Sequence, residues 1–135
     1  MPGWKALTAP EFKTWEKAND PSPAGWRVPT QAEIEKLFDL KKVERTWDAE
    51  RFGVTFTDKA NGNSIFLPAA GFRWGSNGKL DGVNRIGDYY SSTEKNNGAF
   101  YTFRIAETRP GTPPAWMDDS SKQNITGMFI RPVAE

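Results

Sequence analysis

The apolar residues of this chain change their repeat once, and the change constrains the fold more than any other feature. Up to about residue 40 the spacing is helical: Ile34, Leu37 and Phe38 form an i, i+3, i+4 stripe behind Thr30 and Glu33, which have the spacing of a capping box. Glu33, Glu35, Lys36 and Asp39 fall on the wet side, so a helix from Thr30 to about Leu40 is expected. Thr8 and Glu11 repeat the capping-box spacing ahead of Phe12 and Trp15, which predicts an earlier helix ending near Asn19. From Phe52 the period is two. Phe52, Val54 and Phe56 alternate with Gly53, Thr55 and Thr57, an Asn-Gly turn follows in KANGNS, and SIFLPAAGFRW reads as the returning strand. Two helices followed by short antiparallel strands predict an α+β fold, with the helices packed on a small twisted sheet and long loops between elements.

The second half holds two strand-like runs, residues 88–93 and 99–105, and then a long connection at 106–124 with three prolines. Side chains alternate across a strand, so Ala99, Tyr101, Phe103 and Ile105 make one face of the second run. They are expected to face the core. Phe100, Thr102 and Arg104 then occupy the other face, a large aromatic and a cation where solubility alone favours small polar residues. That face is expected to bind something. The competing reading for Phe100 is packing against a neighbouring strand or helix of the same fold. For Trp116 it is burial beneath its own loop.

Composition removes whole classes of chemistry. At 135 residues a single domain, 1–135, is expected, long enough to bury roughly two-thirds of its unfolded surface. Lys and Arg number 18 against 17 Asp and Glu, so no basic field invites nucleic acid. The chain has neither cysteine nor histidine. Ser-His and Cys-His catalysis and most transition-metal sites are thereby excluded, which leaves carboxylate, Lys or Tyr chemistry. No apolar run approaches the roughly 20 residues that span a bilayer, and MPGWKALTAP lacks the apolar core of a signal peptide. Membrane insertion is not expected.

Four blocks carry a resemblance: NDPSPAGWRVPTQAEIEKL (19–37), IFLPAAGFR (65–73), YYSST (89–93) and GMFIRPV (127–133). Together, in this order, they resemble the Fibrobacter succinogenes major paralogous domain. The resemblance implies a C-type lectin-like fold. The pattern around GWRVPTQAE is also similar to one in the sulfatase-modifying formylglycine-generating enzymes, whose chemistry depends on cysteines absent here. Within the group, the chain is most similar to variable proteins of diversity-generating retroelements, in which adenine-directed mutagenesis rewrites a C-terminal segment while the scaffold is kept. Where such proteins often carry Cys and Trp, Ser22 and Tyr90 stand here.

The resemblance implies a scaffold over about 1–84 and a variable, ligand-binding segment over about 85–131. The displayed set it implies is Asp88, Lys95, Asn96, Asn97, Phe100, Thr102, Arg104, Arg109, Trp116, Asp118 and Asp119. Phe100 and Trp116 would act as aromatic anchors and Arg104 and Arg109 as forked donors, since aromatic residues and Arg dominate interface hot spots. The function expected is non-enzymatic recognition of a protein or glycan on a cell surface, by a domain exposed on a cell or virion. The alternative is a structural or adhesive surface domain, which an oligomer would favour. Asp118 and Asp119 are adjacent acids in a polar loop, a pattern that is solvated or binds a cation more often than it is hydrolytic. The sugar-binding triplets of calcium lectins are absent, and no metal or cofactor is expected. Alanine at Phe100, Arg104 and Trp116 is expected to leave stability within about 1 kcal/mol if these are surface groups.

Overall fold

The capping box at Thr30 forms as its spacing predicts. In the computed structural model, which describes Gly3 and residues 15–96, 99–118 and 127–135, helix α1 spans Gln31–Lys36. Thr30 Oγ1 accepts from the Glu33 backbone N–H at 3.3 Å, and the Thr30 N–H donates to Glu33 Oε2 at 2.8 Å. The helix stops four residues short of Leu40 because Asp39 organises a turn: its carbonyl accepts from the N–H groups of Lys42 (3.0 Å) and Val43 (2.8 Å), and its Oδ1 from Lys41 N–H (3.0 Å). The chain then enters a strand that the sequence pattern did not predict, β2 (Val43–Asp48). The earlier expected helix, with its Thr8–Glu11 box, lies largely outside the described residues; Lys17–Asn19 forms one turn of 3-10 helix.

The expected α+β architecture of two helices on a sheet is overturned. Strands account for 45% of the structure and helix for 7%, and among the described residues there is one short α-helix. The molecule is mostly β, built from several small antiparallel sheets. In the first, β2 pairs with β3 (Gly53–Asp58), which pairs with β4 (Ser64–Pro68). The β3–β4 turn uses Gly62 at φ 77°, the positive φ that an Asn-Gly turn requires. Phe52 stands outside the alternation expected of it: it turns the chain at φ 55° and is exposed, so Val54 and Phe56 alone point inward. Two short strands, β5 (Phe72–Arg73) and β6 (Leu80–Asp81), form the next pair. Gly71 precedes them at φ 80°, where a Cβ would collide with the Asp81 carbonyl oxygen.

The second three-stranded sheet joins β7 (Ile86–Asn96), β8 (Ala99–Ala106) and β9 (Ala115–Asp118). Its inner face carries Tyr89, Phe103, Ile105 and Ala115, which meet Val54, Phe56 and Leu67 of the first sheet and Ile34 of α1 in one buried cluster. Tyr89 and Phe103 stack with centroids 5.0 Å apart. Phe103 and Ile105 face the inner cluster as the alternation predicts, while Ala99 is buried and Tyr101 half-buried.

The C-terminal segment threads between elements. Gly127 and Arg73 exchange backbone hydrogen bonds at 2.7 and 2.9 Å, and Phe129 lies along β7, its N–H on Asp88 O (2.9 Å) and its carbonyl accepting from Tyr90 N–H (3.0 Å). The segment ends in β10 (Val133–Ala134), antiparallel to β1 (Trp26–Arg27).

Candidate binding site

Register decides which predicted residues share a face. Asp88 of β7 lies opposite Arg104 of β8, which lies opposite Trp116 of β9; the next row is Tyr90, Thr102 and Asp118, and beyond it Glu94 opposes Phe100. Directly opposed residues point to the same side of a sheet. Asp88, Phe100, Thr102, Arg104, Trp116 and Asp118 therefore stand together on the face turned away from the inner cluster.

Much of that face is closed, contrary to the expectation of an open display. Phe100 is 5% exposed and Thr102 is fully buried. The cause at one end is Trp15, whose ring meets Phe100 edge-on at 5.4 Å and Tyr90 at 6.1 Å. Phe100 is thus part of a second aromatic layer, the competing reading of its alternation. Asp88 is also buried, and accepts from Arg104 Nε at 2.7 Å and Nη2 at 2.9 Å. This bidentate pair is a frame contact, since a buried carboxylate requires a partner held in good geometry. Its hydrogen bonds are the chief cause that raises the Arg104 pKa. On the other side Arg104 Nε lies 4.0 Å from Asp118 Oδ2. A guanidinium already fills the place between two carboxylates where a cation would otherwise sit.

The accessible part lies at the other end. Trp116 is 39% exposed on β9, at the edge of its sheet, next to the Arg104 to Asp118 pair. Arg109 is exposed in the loop between β8 and β9, where its carbonyl accepts from Thr112 N–H at 3.0 Å. Lys95 is half-buried on β7 with its Nζ 5.7 Å from the Tyr101 ring centroid, and Asn96 pairs with Ala99 where the hairpin closes. Asn97 and Asp119 lie outside the described residues.

Beside Trp116 is a cavity of about 370 Å³ whose lining also includes Phe38, Arg45, Pro113 and Met117. Arg45 comes from β2, donates Nη1 to the Ala115 carbonyl at 2.7 Å, and lies 5.3 Å from the Phe38 ring centroid. Burial lowers its pKa, and among the described residues it makes no ion pair. The expected site omits Arg45. The available signal was Val43-x-Arg45-x-Trp47, a period-two run with a cation in its central inward place. No protein-family model matches the chain, and no curated protein or solved structure matches it either.

Proposed function

We propose that the chain is a non-enzymatic ligand-binding domain that recognises a protein or glycan through the patch centred on Trp116. The exposure of this tryptophan carries the reading: a large aromatic side chain stands open at a sheet edge, between an ion pair and a cavity that holds a second cation. A flat apolar ring beside forked donors is the composition of interface hot spots, and it also suits a sugar face with neighbouring hydroxyls. The resemblance of four sequence blocks to the Fibrobacter succinogenes major paralogous domain, and within that group to retroelement-diversified variable proteins, favours the same reading. Within it, rewriting is tolerable at Arg109 and Trp116 and harmful at Phe100 and Thr102, which are enclosed.

Glycan and protein arrays probed with the wild type and Trp116→Ala test the proposal. The variant is expected to lose a bound ligand by about 30-fold while its stability stays within about 1 kcal/mol. Undiminished binding by a folded variant removes Trp116 from the site. For the retroelement component, the expected observation is a nearby near-copy of the 85–131 coding stretch that differs at adenines and spares the codons of Phe100 and Thr102. The adhesive alternative has one observation in its favour, the position of β9 at the edge of its sheet, since edge strands can pair with another chain. Concentration-dependent self-association abolished by a proline at Met117 would support that alternative.

A further inference from the structure

A second, larger cavity of about 780 Å³ opens between the end of α1, the start of β2 and the β3–β4 turn. It shares no lining residue with the cavity beside Trp116 and does not depend on that site's function. Its floor is apolar: Leu37, Val43 and Ile65 are half-buried there and Phe56 closes it from the core side. Its charged lining is Lys36, Lys41, Lys42 and Lys59 against one carboxylate, Asp58. That carboxylate is engaged by its own turn, accepting from Ala60 N–H at 2.8 Å and Asn61 Nδ2 at 3.0 Å. Among the described residues none of the four lysines makes an ion pair. Lys59 Nζ donates to the Leu40 carbonyl at 2.6 Å.

Four lysines less one aspartate leave three positive charges around an apolar hollow, in a chain whose whole formal charge is +1. Like charges gathered without counter-charges repel one another, and lysines over apolar surface keep their ammonium groups in water while their stems lie on the wall. The two features complement one ligand chemistry: an apolar tail for the floor and an anionic head for the rim. An anion without a tail gains only screened surface attraction, and a tail without an anion leaves the lysines unmatched. The cavity volume lies within the range of about 300–1,000 Å³ usual for small-molecule sites. We propose that this groove binds a single-chain amphiphile with a carboxylate head, of the fatty-acid type. The tail lies against Leu37, Val43, Phe56 and Ile65, and the carboxylate meets Lys41 and Lys42.

The test is calorimetric titration of dodecanoate, kept below its micelle concentration, into the whole chain. Dodecyltrimethylammonium, acetate and a heparin fragment serve as comparisons. Methyl resonances of Leu37, Val43 and Ile65 in the unsubstituted protein report where the ligand sits. Saturable one-to-one binding of dodecanoate with shifts at those methyls is expected, together with affinity for the cationic chain about tenfold weaker or less and no resolved binding of acetate. Lys41→Glu combined with Lys42→Glu is expected to weaken dodecanoate about tenfold. Equal affinity for the two chains, shifts confined to other methyls, or heparin bound more tightly than dodecanoate overturns the proposal. The unsubstituted protein decides each of these outcomes, whatever the folding of the double variant.

Discussion

Replacing Phe100 with alanine removes a ring that is 5% exposed and packed edge-on against Trp15 at 5.4 Å. A cavity remains where it stood, so the expected cost is about 3–5 kcal/mol, read from urea denaturation midpoints. This replaces the value of within about 1 kcal/mol that its place in the alternation implied. A small cost, with unchanged Trp fluorescence, would return Phe100 to the surface. Trp116, on the same face, is the opposite case. Both positions read alike from the strand pattern, because alternation assigns a residue to a face and says nothing of what covers that face. What covers Phe100 is a tryptophan about 85 positions upstream, a distance over which local pattern carries no information.

At the scale of elements, α1 is short enough that its first turn carries much of its stability. Glu33 Oε2 accepts both from the Thr30 N–H (2.8 Å) and from Arg27 Nη1 (2.8 Å), while Arg27 Nη2 donates to Oε1 at 2.6 Å. The Arg27 hydrogen bonds, followed by the Thr30 N–H, bring the Glu33 pKa from 4.5 down to about 2. A depressed folded pKa means that the contribution is present above pH about 4.5 and is lost as pH falls toward about 2. For a group this open to water it amounts to about 1 kcal/mol. Acid titration of stability should fall in that window, and Glu33→Gln should flatten it while costing a similar amount at neutral pH. The helix start, the β3–β4 hairpin and the β7–β8 hairpin were legible because each is written in contiguous spacing. Strand β2 was not, since Arg45 interrupts its apolar face, nor was the early stop of α1, where an Asp39 turn prevails over the continuing stripe of Leu37 and Phe38.

The molecule as a whole is layered on both sides of β7. Tyr89 is buried in the inner cluster and Tyr90 under Trp15, and burial raises both phenol pKa values above 10. The folded state keeps these groups neutral, so stability is fully present below pH about 10, the unfolded value, and declines as pH rises beyond it. Urea midpoints constant from neutral pH to mildly alkaline and falling above about pH 10 are expected, with Tyr90→Phe reducing the fall; a flat profile would place both hydroxyls in water. The four sequence blocks meet in the same region: Pro29 O accepts from Ser92 N–H at 2.8 Å, Pro68 O from Tyr89 Oη at 2.7 Å, and Phe129 brackets β7. Strand β1, by contrast, finds its only ladder partner among the described residues in β10. On the ribosome, Trp26 and Arg27 therefore leave the exit tunnel long before Val133 and Ala134 are made. Their edge stays unclaimed until both of those residues have been made, so this pairing closes only after the strands between them are available to fold.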